Sequence, residues 1–193
     1  MAIEFELKYS AEVGAQEAIL AAYPGDYHTY EMETTYYDAV NGALSDRRVT
    51  LRRRMENGVS VCTVKTPVFG YGRGEWECEC EEIHAAIDRL VELGASRELL
   101  LLTAGGVVPV CGARFTRRAL SVEHDGAVLE LALDRGSLLG GGKEIPLCEV
   151  EVELKSGEPE KAVAFAEALA KEFGLRPEKK SKFRRALALA KGE

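Results

Sequence analysis

Several stretches of this chain place charge at every second residue. In Glu4-Phe5-Glu6-Leu7-Lys8 one parity is Glu, Glu, Lys and the other Phe, Leu. Glu75-Trp76-Glu77-Cys78-Glu79 and Glu149-Val150-Glu151-Val152-Glu153-Leu154 each carry only carboxylates on one parity. Val49 and Leu51 leave Arg52 and Arg54 together on the opposite face, and Leu129, Leu131 and Leu133 do the same for Glu130 and Asp134. A period of two is the strand period. A half-buried antiparallel sheet can turn its polar face to water. However, like charges directly opposite one another destabilise a sheet, so faces of a single sign need opposite charges or metal ions before them. A closed barrel lined with charge, its apolar side covered by helices, meets that condition.

The proposed lining contains the acids Glu4, Glu6, Glu75, Glu77, Glu79, Glu130, Asp134, Glu149, Glu151 and Glu153. Its bases are fewer: Lys8, Arg52, Arg54, Lys65, Arg73, Arg117 and Lys182. An excess of carboxylates suits a bare polyanion poorly. It suits a polyanion escorted by Mg²⁺ or Mn²⁺, because hard cations take oxygen ligands from carboxylates and phosphates together. Arginine then offers planar donor forks to phosphate oxygens.

The chain has 193 residues, 46% of them hydrophobic, which is enough for one core and one domain over residues 1–193. Lys and Arg total 25 against 32 Asp and Glu, a net charge of −7. Nothing long-ranged draws such a chain to nucleic acid or an anionic membrane, so neither is expected as a partner. Phosphate chemistry must come from a local cluster of bases. The five cysteines are odd in number and Cys78-x-Cys80 lacks zinc spacing, so reduced, packed thiols of a cytoplasmic protein are expected. The first residues carry carboxylates where a signal peptide needs apolar ones, and no apolar run reaches the length of a membrane span.

Alternation predicts strands at Ile3–Tyr9, Thr29–Asp38, Thr50–Arg54, Val61–Lys65, Glu75–Glu79, Phe115–His124, Val128–Asp134 and Glu149–Leu154. Asn57-Gly58 and Asp125-Gly126 are hairpin turns by composition. Helical periodicity marks Ala11–Tyr23, Ile83–Gly94, Arg97–Thr103, Pro159–Phe173 and Ser181–Lys191. The expected fold is α+β: an eight-stranded antiparallel barrel, or tunnel, with a charged lumen and helices packed outside.

Glu4-x-Glu6-x-Lys8 resembles the ExExK signature of the CYTH, or triphosphate tunnel metalloenzyme, superfamily. Its companions follow in that family's order: Tyr36-Tyr37-Asp38, Leu51-Arg52-Arg53-Arg54, Thr63-Val64-Lys65, Arg73-x-Glu75-x-Glu77, Glu130 to Asp134, Glu149-x-Glu151-x-Glu153, and Ser181-Lys182-Phe183-x-Arg185. The resemblance spans essentially the whole chain and is strongest to the bacterial inorganic triphosphatase branch. It implies Glu4, Glu6, Glu151 and Glu153 as ligands of Mg²⁺ or Mn²⁺. It implies Lys8, Arg52, Arg54, Lys65, Arg117 and Lys182 as triphosphate binders, with Glu75, Glu77 and Glu149 as second-metal or water-orienting groups. On the sixth strand, where relatives often space two bases by two, this chain has Arg117 and then Ala119; alternation favours Arg117 over Arg118 as the inward residue.

The implied activity is metal-dependent hydrolysis of inorganic triphosphate to pyrophosphate and phosphate. Adenylyl cyclase, thiamine triphosphatase and a non-catalytic polyphosphate- or nucleotide-binding module remain alternatives. The expected partner is a small-molecule triphosphate, and a homodimer is left open. Gly140-Gly141-Gly142-Lys143 lacks phosphate-loop spacing and reads as a flexible hairpin loop. His28, His84 and His124 have no ligand or triad spacing, and Trp76 falls on the apolar parity.

Overall fold

The computed structural model describes residues 2–67 and 73–193, with side chains described from residue 5 and, in the second stretch, from residue 74. The side chains of Glu4 and Arg73 therefore lie outside the described residues. The strands are β1 (Ala2–Glu4), β2 (Glu6–Ser10), β3 (His28–Ala39), β4 (Thr50–Glu56), β5 (Val59–Pro67), β6 (Arg73–Glu79), β7 (Val107–His124), β8 (Ala127–Gly140), β9 (Lys143–Ser156) and β10 (Arg176–Pro177). The helices are α1 (Val13–Ala22), α2 (Ala43–Asp46), α3 (Ile83–Glu92), α4 (Glu98–Thr103), α5 (Pro159–Phe173) and α6 (Lys182–Lys191).

All strands join one antiparallel sheet in the order β1-β6-β5-β4-β3-β7-β8-β9-β2-β10. The expected eight long strands are β2 to β9, and β1 and β10 are short additions. The ladder is not closed by hydrogen bonds all the way round. Instead β1 pairs with β6 while β2, one residue later, pairs with β9. The chain through Phe5 thus links the two ends of the sheet, and Phe5 O accepts from Leu154 N at 2.9 Å.

Three hairpins fix the register of the long strands. Asn57-Gly58 and Asp125-Gly126 both have positive φ at both positions, the backbone a tight two-residue turn requires. Gly141-Gly142 does the same between β8 and β9, where Gly140 pairs with Lys143. What the composition suggested as a loose loop is a tight turn, and β7 and β8 run on well past the alternating segments read from sequence.

The outward parity forms two apolar layers. Leu129, Leu131, Leu133, Val150 and Val152 pack under α1 and α5 with Ile19, Phe165 and Leu169. Leu51, Cys62 and Val64 pack under α3 and α4 with Ile87, Leu90 and Leu99, and Trp76 lies against this layer. Each fully buried Leu or Ile contributes about 1.5–3 kcal/mol.

The sixth helix behaves differently. Phe183 and Ala186 of α6 pack on Met32, Tyr36, Ala113, Phe115, Leu138 and Leu147. Leu138 shares the parity of Asp134, and Leu147 that of Glu149, so α6 sits on the lumen face and stops one end of the tunnel. Close approach is possible because Gly140 has no side chain: a Cβ there would lie 2.4 Å from Ala186 O and 2.7 Å from Ala190 N. Ser181 starts the helix as its N-cap, accepting from Arg184 N at 3.2 Å.

Candidate active site

The lumen is a cavity of about 340 Å³. Arg52, Arg54 and Lys65 reach it from β4 and β5, and Glu75 and Glu77 from β6. Glu6 and Lys8 enter from β2, Arg117 from β7, Glu151 and Glu153 from β9, and Lys182 from α6. Among the expected site residues with described side chains, only Glu149 does not line it. Of the wider lining expected from alternation, Glu130 faces the cavity and Glu79 does not. Arg118 is exposed on the other side of β7.

One wall is basic. Lys65 and Glu75 are cross-strand partners with Nζ and Oε1 3.4 Å apart, and Glu75 Oε1 also lies 3.7 Å from Arg52. Arg54 donates from Nε to Thr34 Oγ1 at 3.0 Å and pairs with Glu56 at 3.5 Å. Burial, helped by the like charges of Arg52 and Arg117, lowers the Arg54 pKa to about 10. Among the described residues, Arg52 Nε is buried with no hydrogen-bond partner, an unused donor on a residue that lines the cavity.

The far wall is acidic. Glu6 faces Glu153 directly across β2 and β9, and Glu153 faces Glu130 directly across β9 and β8. Lys8 lies 3.1 Å from Glu6, while Lys155 lies 2.8 Å from Glu153 and 3.7 Å from Glu130. Burial opposes the charge on Lys8, but Glu6 and Glu151 outweigh it and raise its pKa. A row of three carboxylates on adjacent strands repels itself. Its donor set is the all-oxygen kind that Mg²⁺ or Mn²⁺ takes, so these residues fit such an ion.

Beneath the cavity floor, α6 delivers Lys182 into a second carboxylate group. Its Nζ lies 2.8 Å from Asp134, 2.5 Å from Glu149 and 2.7 Å from Glu151. Arg117 forks onto Asp134 with two contacts of 2.7 Å and also bonds Glu151. Arg185 bonds Glu149. Three carboxylates thus face three cations. Burial pushes the Glu151 carboxyl up, but Lys182, Arg117 and Lys8 together hold it well below its ordinary value. Burial likewise opposes the charge on Lys182, yet Asp134, Glu151 and Glu149 raise its pKa.

Carboxylate oxygens of Asp134, Glu149 and Glu151 approach within 4.8 Å of one another, a spacing that could hold a metal ion. The Lys182 ammonium already sits at that point. The environments of Glu149 and Glu151 therefore differ from those their shared motif suggests. Both oxygens of Glu151 are engaged by cations, and Glu149 is sealed from the lumen beneath α6.

Sequence reasoning overlooked several residues in and around the lumen. Glu56 and Lys155 simply continue the charged parities of β4 and β9 by one step. Phe115 shares the inward parity of Arg117, and its ring centroid lies 5.3–6.0 Å from Arg54, Arg117 and Lys182, an arrangement in which the π face attracts cations. Gln16 of α1, which donates at 3.0 and 2.8 Å to the carbonyls of Asp134 and Glu149, had no local signal at all.

Comparison with known proteins agrees with this geometry. The CYTH domain family model matches residues 2–187. An inorganic triphosphatase of Haemophilus influenzae is 28% identical over 176 residues, covering 86% of this chain and 49% of that protein. The chain thus spans about half the length of that curated relative. A candidate adenylyl cyclase from Hippeastrum, described as having a dominant triphosphatase activity, superposes with a TM-score of 0.68 at 22% identity, covering 99% of this chain and 97% of that one. The PH1819 protein of Pyrococcus horikoshii superposes with a TM-score of 0.63 at 25% identity, covering 97% of this chain and 99% of that one. The chain belongs to the CYTH domain family.

Proposed function

We propose that this protein hydrolyses inorganic triphosphate to pyrophosphate and phosphate with a divalent metal ion. The observation that carries the reading is one cavity with Arg52, Arg54 and Lys65 on one wall and the row Glu6, Glu153, Glu130 on the other. The Haemophilus influenzae relative supports it by name.

In this reading Arg52, Arg54 and Lys65 grip the phosphate oxygens, and the unused Arg52 Nε gains an acceptor. Glu75 holds Arg52 and Lys65 in place. Glu6 and Glu153, with Glu130 beside them, would hold Mg²⁺ or Mn²⁺, which when bound neutralises phosphate charge and polarises a phosphoryl oxygen. Glu4 joins them by resemblance. Glu77 lines the cavity and orients the attacking water, accepting its proton. Asp134, Glu149 and Glu151 fix Lys182 and Arg117, so that α6 stays seated and the lumen stays shaped. Positioning and fixed charge supply most of the rate, as in phosphoryl transfer generally.

The test is a substrate panel of tripolyphosphate, ATP, thiamine triphosphate and pyrophosphate with Mg²⁺ or Mn²⁺, followed by phosphorus NMR. Tripolyphosphate should be cleaved with a specificity constant at least about tenfold above that for ATP, a difference of roughly 1.4 kcal/mol. Cyclic AMP accumulating from ATP while tripolyphosphate stays intact would assign the tunnel to cyclase chemistry instead.

A further inference from the structure

A second cavity, of about 700 Å³, adjoins the first. The two share Glu6, Lys8, Thr50, Ser181 and Phe183 as lining residues. One wall of the second cavity is the outer side of α6 with the residues just before it, and the other runs from α2 into β4. Lys179, Lys180, Arg184 and Lys191 line it from the α6 side, and Arg48 from the other.

From residue 179 to residue 192 the chain contains no Asp or Glu. Lys182 and Arg185 turn inward onto the buried carboxylates. Lys179, Lys180, Arg184 and Lys191 turn outward, and among the described residues they form no ion pair. One feature makes this more than a solvated helix face: Lys179 and Lys180 immediately precede the α6 N-cap, the end where the helix dipole is positive and cations are disfavoured. An anion in the cavity would offset that cost and meet the open amides of the first turn. Among the described residues the cavity holds six bases against the acids Glu6, Asp46 and Glu193, on a chain whose net charge is −7.

We propose that this cavity is a second anion site, which takes the part of a linear inorganic polyphosphate that extends beyond the phosphates held in the tunnel. The proposal rests on the reading of the tunnel as a triphosphate site. A linear polyanion fits better than a nucleoside, because among the described residues Phe183 is the lone aromatic of the lining and it is buried in the α6 packing. A repeating charge also matches cations spread from Lys179, just before α6, to Lys191 at its end, and the shared lining residues let one molecule occupy both cavities.

The experiment measures equilibrium binding of tripolyphosphate and of long-chain polyphosphate at several salt concentrations, for the native protein and a Lys180→Glu/Arg184→Glu double variant. Native protein should bind the long chain at least about tenfold tighter than tripolyphosphate, with a steeper salt dependence, because more cations are neutralised. The double variant should lose that advantage and keep its tripolyphosphate affinity within about twofold. A Lys191→Glu variant, at the far end of the cavity, should lose part of it. No long-chain advantage in the native protein, or an advantage that survives the double variant, overturns the second site and leaves the tunnel reading standing. Failure to cleave tripolyphosphate overturns the tunnel reading, while the binding comparison still decides the second site.

Discussion

Lys182, at the start of the last helix, places its Nζ 2.5 Å from Oε2 of Glu149, a carboxylate with no exposure to solvent. This pair holds α6 in the end of the tunnel, and it makes Lys182 part of the tunnel's own architecture. Lys182→Met would leave Asp134, Glu149 and Glu151 with Arg117, Arg185 and the more distant Lys8 to balance them. Removing one partner of a buried ion group costs about 3–5 kcal/mol. Urea denaturation should show a loss of that order. A variant as stable as the native protein would mean that Lys182 serves only the substrate.

The row Glu6, Glu153, Glu130 gives a different expectation for stability. Glu6→Gln or Glu153→Gln relieves a like-charge contact but also removes the ion pair with Lys8 or Lys155, so without metal either variant should stay within about 1 kcal/mol of the native protein. Turnover should fall by about two orders of magnitude or more, the scale for losing an electrostatic contact to the reacting group. Mg²⁺ should raise the thermal midpoint of the native protein, since a ligand that binds only the folded state stabilises it, and should do so less for each variant. Equal metal-induced shifts in all three proteins would remove these carboxylates from the metal site.

Along β4 the parities separate substrate grip from surface. Arg52→Ala and Arg54→Ala should each weaken triphosphate binding by about 1.5–3 kcal/mol, the scale of a hydrogen bond to a charged group. Arg53 instead donates to the Glu81 carbonyl at 3.0 Å on the outer side, and Arg53→Ala should change binding little. Calorimetric titration of the three variants separates them, and equal losses would contradict the register of β4.

The seat of α6 can be tested at a glycine. Gly140→Ala pushes a methyl group into the Ala186 carbonyl, which overpacking arguments put at about 1–3 kcal/mol. It should also weaken triphosphate binding by tilting the helix that carries Lys182. Gly142→Ala meets no atom within 4 Å, but its φ of +73° is strained for alanine, so it should cost only about 1 kcal/mol and leave binding intact. Identical binding losses in both variants would show that turn strain, and not the seat of α6, is what matters.

The thiols provide a check on burial. Burial pushes the Cys62 and Cys111 thiols up to about 12. At pH 8 each stays protonated in the folded protein and poorly nucleophilic. Iodoacetamide followed by mass spectrometry should find both unmodified in the native protein and both alkylated after denaturation. Rapid native labelling of Cys62 would mean that α3 and α4 do not cover β5 as described.

Sequence alone determined the strands, their inward and outward faces and the two clearest hairpin turns, because a period of two and an Asn-Gly or Asp-Gly turn are local properties. The parity that separated Arg52 and Arg54 from Arg53, and Arg117 from Arg118, needed no tertiary information. Glu149, Glu151 and Glu153 show where that reading stops. Their local pattern is identical, yet Glu153 lies in the open lumen beside Lys155, Glu151 is spanned by two cations, and Glu149 is sealed beneath a helix. Tertiary structure decided among them through one packing event. Gly140 lets α6 approach the lumen face of β8, and α6 then brings Lys182 and Arg185 from more than thirty residues downstream onto Glu149 and Glu151. Charge pairing between distant segments depends on which elements meet, and no spacing along a single strand encodes that.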